Sequence, residues 1–145
     1  MTKSFRETLF GAWKLVEYTM EDDNGEKFYP LGKDAKGFIL YTPDGYMSAQ
    51  IMESGRPIYS SGDLFTGTTE EMAKAAHGYL AYSGRYEVDE ATHTLVHHMD
   101  VSLNPTWLGQ GQERYVKLDG DTIVITTSVD TAMLVWKRAE GQSNQ

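Results

Sequence analysis

Apolar residues recur along this chain in short alternating runs separated by turn residues, which is the period of half-buried strands rather than of helices. The first run is Gly11 to Met20 (GAWKLVEYTM), and the polar cluster Glu21 to Gly25 ends it. Asn24-Gly25 signals a hairpin, because both central positions of the favoured two-residue turn need positive φ. Glu26 to Tyr29 is then the returning strand. After a loop from Pro30 to Lys36, Gly37 to Thr42 (GFILYT) is β-branched and aromatic enough for a third strand. Pro43-Asp44-Gly45 turns the chain, since proline presets φ and glycine accepts the left-handed position. Tyr46 to Met52 follows as a fourth strand, with Met47, Ala49 and Ile51 on its core face and Tyr46, Ser48, Gln50 and Met52 on the other.

Glu53 to Thr68 is irregular and longer than most connections, the profile of an entrance loop or lid. Thr69 to His77 is the one helix expected: Thr68 or Thr69 can cap it, Glu70 and Glu71 complement its positive end, and alanines supply propensity. Tyr79 to Val88 and Thr94 to Leu103 flank the short loop Asp89 to His93 as a further hairpin. Asn104 to Gly111 is a second long loop, which places Trp107 at whatever mouth the fold has. Gln112 to Leu118 and Thr122 to Thr127 are joined by Asp119-Gly120-Asp121, and Ala132 to Arg138 is the last strand. Eight or nine short strands joined by hairpins, with one short helix, describe an all-β, antiparallel up-and-down meander. Closing it into a barrel removes its edges and leaves an interior just wide enough for side chains or one small ligand. The expected organisation is one domain over 1–145, the barrel spanning about 8–138 and the tail 139–145 disordered.

Composition narrows the function. At 145 residues a single domain with a real core is expected. Twenty-one acidic against 13 basic residues give a net charge of -8, which opposes attraction to phosphate backbones and anionic lipid, so no nucleic-acid partner is expected. Zero cysteines exclude disulfides, thiolate metal sites and a cysteine nucleophile, and suit a reducing cytoplasm. The opening MTKSFRETLF has no apolar signal core, and no run is long enough to span a membrane. A soluble cytoplasmic protein, monomer or homodimer, is the expectation.

Two motifs at opposite ends carry a resemblance. Gly11-Ala12-Trp13 resembles the Gly-x-Trp signature of lipocalins, and Trp136-Lys137-Arg138 resembles their terminal basic residue, which packs across that tryptophan. The middle is more specific. Tyr29-Pro-Leu-Gly, Tyr41-Thr-Pro-Asp-Gly-Tyr-Met-Ser-Ala-Gln, Gly84-Arg-Tyr-Glu-Val, and His97-His98 running to Ser102-Leu-Asn-Pro-Thr-Trp look like the bacterial and fungal lipocalin-like domain family. The resemblance implies a calycin-type barrel with an internal cavity, often for a small apolar ligand, in a family where few members have an assigned activity.

Several residues could carry chemistry. His97 and His98 are adjacent in a strand, so they point to opposite faces and cannot share a metal ion. His97 alternates with Leu95, Met99, Val101 and Leu103, which makes it the inward one. It is either a core histidine bonded to a hydroxyl or a ligand anchor and proton carrier. Arg114 alternates with Val116 and Leu118, and an inward arginine needs a partner or a bound anion. Tyr82 and Tyr86 share a face with Gly84, where a neighbouring chain segment approaches closely. Tyr41, Met47, Gln50 and Trp107 complete the candidate ligand-binding set. Trp13 with Arg138 reads as a structural contact closing one barrel end.

No Gly-x-Ser-x-Gly, phosphate loop or dinucleotide fingerprint is present, and neither Asp22-Asp23 nor Glu70-Glu71 has calcium-loop spacing. No metal and no cofactor are therefore expected. Three functions remain: a barrel binding a small hydrophobic or amphipathic metabolite; a cofactor-free isomerase, cyclase or hydrolase using His97, Arg114 and Tyr82; and a barrel filled by its own side chains. Cavity volume separates the third from the others.

Overall fold

The computed structural model describes residues 3–127 and 131–141. Its strands are β1 (Gly11–Glu21), β2 (Lys27–Phe28), β3 (Lys36–Tyr41), β4 (Tyr46–Met52), β5 (Tyr79–Asp89), β6 (Thr94–His98), β7 (Val101–Ser102), β8 (Gly111–Asp119), β9 (Thr122–Thr127) and β10 (Met133–Arg138). The helices are α1 (Phe5–Leu9) and α2 (Thr69–His77), with a single 3-10 turn at Pro105–Trp107. Eight strands close an antiparallel barrel in the order β1, β3, β4, β5, β6, β8, β9, β10. Closure is made by β1 against β10, where Trp13 stands opposite Arg138 and Thr19 opposite Met133. Short β2 extends beside β1, and β7 pairs with the first half of β5.

Hairpin chemistry accounts for the register. Gly45 N–H bonds the Thr42 carbonyl and Thr42 N–H bonds the Tyr46 carbonyl, with Pro43 and Asp44 between them and Gly45 at φ 102°. The β1–β2 hairpin repeats this arrangement rather than the expected two-residue Asn-Gly turn. Asp22 accepts from Gly25 and pairs with Glu26, so the loop holds three residues and only Gly25, at φ 77°, is left-handed. The extra residue, Asp23, lets an ordinary turn plus one glycine do what would otherwise need positive φ twice.

The barrel has unlike ends. β1 leaves from α1, so α1, the 42–45 turn and the β5–β6 and β8–β9 turns gather at one end, and the long loops at the other. Helix α1 was not foreseen from the hydrophobic pattern. Ser4 and Glu7 form a reciprocal capping box, and Phe5 and Leu9 plug the barrel floor. Phe5 stacks on His93 at 4.2 Å, and the Glu90 carboxylate accepts from the Phe5 and Arg6 backbone N–H groups. Above this plug, Trp13, Leu15, Ile39, Tyr41, Met47, Tyr86, Leu95, Val116, Ile123 and Ile125 fill the lower barrel.

The expected strand Thr94 to Leu103 is broken into β6 and β7. Asp100 N–H folds back to the His98 carbonyl, and the Asp100 carboxylate is held by the Arg85 backbone N–H and guanidinium, each at 3.0 Å. Gly84 lies directly under the His98 carbonyl and leaves no room for a Cβ there. The bend ends the alternation, so Leu95, His97 and Met99 are buried whereas Val101 and Leu103 are exposed. The tail expected to be disordered falls mostly on residues 142–145, outside the described residues; Ala139 N–H still bonds the Ala12 carbonyl.

Candidate functional site

The upper half of the barrel is hollow where the lower half is filled. An inner hollow of about 60 Å³ is walled by Ala49, Ile51, Leu80, Leu134 and Trp136, with Tyr82, Gln112, Arg114 and Thr127 as its polar lining. An outer hollow of about 180 Å³ continues towards the mouth, among Pro30, Leu31, His77, Leu103 and Asn104. Tyr18, Leu80 and Trp107 line both and form the boundary between them. Helix α2 stands at this open end, and only His77 of it reaches the hollow.

Beneath the inner hollow lies a buried polar chain. Tyr41 Oη is 2.8 Å from His97 Nε2, and Tyr82 Oη is 3.0 Å from His97 Nδ1. His97 is 1% exposed, and desolvation, helped by the Arg114 charge, pulls its pKa down to about 3. The ring is therefore neutral at physiological pH, with one nitrogen donating and the other accepting. Burial pushes the Tyr82 phenol up, opposed by the Arg114 guanidinium beside it, and raises Tyr41 well above the ordinary phenol value. Both phenols stay protonated, so the chain is an uncharged relay of hydrogen bonds.

Arg114 is 7% exposed and shares the inner face of β8 with Val116. Its Nη2 donates to Gln112 Oε1 at 2.6 Å and its Nη1 to the Glu113 carbonyl at 3.1 Å. Both acceptors are neutral. No carboxylate of the described residues pairs with it.

The sequence-derived candidates thus divide. Tyr82, Arg114 and Trp107 line the hollow, and the Tyr82 ring meets Trp107 edge-on at 5.9 Å. His97 and Tyr41 lie one layer deeper, reaching the hollow only through Tyr82. Tyr86 is at the floor, donating to the Thr42 carbonyl with its ring against Tyr41, and Met47 is core. Gln50 is not brought to the site: strict alternation turns it out of β4, where it accepts from Tyr79. His98 likewise points outward, to Glu87 at 2.8 Å. Sequence reasoning did not single out Gln112 and Trp136. Gln112 was accessible in principle, two residues before Arg114 on the same strand face; the depth of Trp136 in the barrel was not.

A closed antiparallel barrel with a plugged floor, a tryptophan–arginine closure and a hollow upper half is a calycin-type ligand barrel. The chain belongs to the lipocalin-like domain family, whose model matches residues 10–143. It is 39% identical over 87 residues, 56% of this chain and 78% of the other, to the 4'-hydroxy-3'-methoxypropiophenone carrier protein ppsC of Aspergillus oryzae. Two solved structures are similar in fold. One is a DUF4847 family protein from Bacteroides vulgatus, at TM-score 0.46 and 7% identity, covering 92% of this chain and 96% of that one. The other is a Schistosoma mansoni fatty acid binding protein in complex with arachidonic acid, at TM-score 0.42 and 17% identity, covering 93% and 98%.

Proposed function

We propose that this protein binds and carries a small aromatic or amphipathic metabolite in the upper barrel, with the polar end of the ligand against Tyr82 and Arg114. The observation that carries this reading is the inner hollow itself: apolar walls with a few convergent polar groups, above a floor that is otherwise packed solid. The relative from Aspergillus oryzae is named as a carrier of an aryl ketone with phenol and ether oxygens, and such a molecule matches a site of aromatic walls and few donors.

Conversion by a cofactor-free isomerase, cyclase or hydrolase would ask His97 to exchange a proton with the ligand. Both His97 nitrogens are engaged by phenols, and the ring does not line the hollow, which favours carriage. The test is titration of the protein with 4'-hydroxy-3'-methoxypropiophenone, read by tryptophan fluorescence, because Trp107 and Trp136 line the hollow and Trp13 does not. Saturable quenching and a 1:1 adduct in native mass spectrometry are expected. Catalytic loss of the ketone would favour the enzyme instead. Absence of both quenching and adduct, for this ketone and for 3-phenylpropanoate, would overturn the proposal.

A further inference from the structure

Two buried donors of the inner hollow lack, among the described residues, the partner each calls for: an acceptor for one and an anion for the other. Trp136 is 1% exposed, and its indole Nε1 has no hydrogen-bond partner among the described residues. Trp13, equally buried at the barrel floor, donates to the Leu9 carbonyl at 3.0 Å, so the fold readily satisfies an indole where no ligand is needed. A buried N–H left unmade forfeits its hydrogen bond to water with no return, and native proteins rarely leave one.

The second donor is Arg114. It has five N–H groups in a planar fork, and among the described residues its bonds at 2.6 and 3.1 Å go to an amide oxygen and a backbone carbonyl, both neutral. Burying a guanidinium without an anion is strongly unfavourable, because its lost hydration is not repaid. The groups around it do not cancel the charge: Tyr41 and Tyr82 are protonated phenols, His97 is neutral, and Gln112 is an amide. Arg138, by contrast, has its charge spread over two backbone carbonyls and the Trp13 face. Arg114 and Trp136 line the same hollow, whose remaining wall is apolar and aromatic apart from Gln112 and Thr127.

We infer that the ligand is a small organic anion, an aromatic or aliphatic body with one ionised oxygen group, and that this group takes hydrogen bonds from both Arg114 and the Trp136 indole. The inference rests on the carrier reading above and names the ligand class of that same site. It also explains why the site tolerates an uncompensated cation inside a chain of net charge -8: the compensating charge arrives with the ligand.

The experiment uses matched probes on the whole protein: 3-phenylpropanoate, 3-phenylpropanamide and 3-phenylpropan-1-ol, titrated by calorimetry at pH 7. The carboxylate binds at least about tenfold more tightly than either neutral analogue, because hydrogen bonds to charged groups exceed neutral ones by this order. Arg114→Gln removes that preference. In the intact protein, the Trp136 indole N–H resonance moves downfield with the acid and not with the alcohol, which decides the matter even if the variant fails to fold. 4-Nitrophenol separates a carboxylate site from one that also takes phenolates: bound probe showing the phenolate absorbance at a pH where free probe is protonated extends the class to acidic phenols. Bound probe in the phenol form restricts the class to carboxylates. Equal affinity for acid, amide and alcohol overturns the anion assignment and leaves the carrier reading standing. Failure of these three and of the aryl ketone alike overturns both.

Discussion

The Arg138 guanidinium lies over the Trp13 ring, 3.9 Å from its centroid, and donates to the carbonyls of Phe10 and Thr8, each at 2.6 Å. One side chain thus ties the last strand to the first strand and to the end of α1. Three elements of the closed end, α1, β1 and β10, meet there, because Trp13 itself donates to Leu9.

Arg138→Ala should therefore cost about 2 to 3 kcal/mol, combining a cation–π contact with two charge-assisted hydrogen bonds. Arg138→Lys should recover less than half of that, since an ammonium cannot stack flat and fork to two carbonyls together. Urea unfolding at pH 7 checks both; a midpoint unchanged in the alanine variant would refute the role given to this contact.

Much of this closed end was legible beforehand, and the reason is locality. Pro43-Asp44-Gly45 fixes its turn through residues that touch one another in sequence, and the Trp13–Arg138 pair rides on two short motifs. His97 inside and His98 outside followed from the alternation of β6. The break after His98 was not legible, because it is decided by Arg85 and Gly84 on a neighbouring strand. Helix α1 is too short for hydrophobic periodicity to register, although its Ser4-x-x-Glu7 box stands in the sequence. Gln50 was assigned to the site against its own strand alternation, which the barrel obeys. The orphaned indole of Trp136 could not be read at all: it depends on which level of the barrel the residue occupies, and that is a property of the closed register.

His97 makes stability depend on pH in a window that extends above that of the carboxylates. In the unfolded chain a histidine binds a proton near pH 6.5, but in the folded protein only near about 3. Between these values the unfolded state holds the extra proton, so stability falls as the pH falls from 6.5 towards 3 and is constant from this source above 6.5. From pH 7 to 5 the loss amounts to about 2 kcal/mol. Asp100 works in the same direction but lower. Its pKa is held at about 2, chiefly by the hydrogen bond from the Arg85 side chain, so its contribution fades only below the ordinary carboxylate range. His97→Gln should flatten the profile between pH 7 and 5 without removing the fall below 4. Urea melts of both proteins at pH 7, 6 and 5 decide it, and parallel profiles would show that His97 is not the group responsible.

The two phenols bonded to His97 differ in one respect that binding can detect: Tyr82 lines the inner hollow and Tyr41 does not. Removing either hydroxyl leaves one His97 nitrogen without its partner, so Tyr41→Phe and Tyr82→Phe should each lower stability by about 1 to 3 kcal/mol. Ligand affinity should separate them. Tyr82→Phe takes away a hydroxyl that the ligand can reach, and it also withdraws a neighbour from the Arg114 fork, so the affinity for 3-phenylpropanoate should drop by about five- to tenfold. Tyr41→Phe acts one layer below, through a neutral ring that has no contact with the hollow, and should leave that affinity within about twofold. Calorimetric titration of the two variants, each first shown to melt cooperatively, makes the comparison. Equal losses would mean that the whole Tyr41–His97–Tyr82 chain transmits to the ligand, and equal retention would mean that the chain is purely structural.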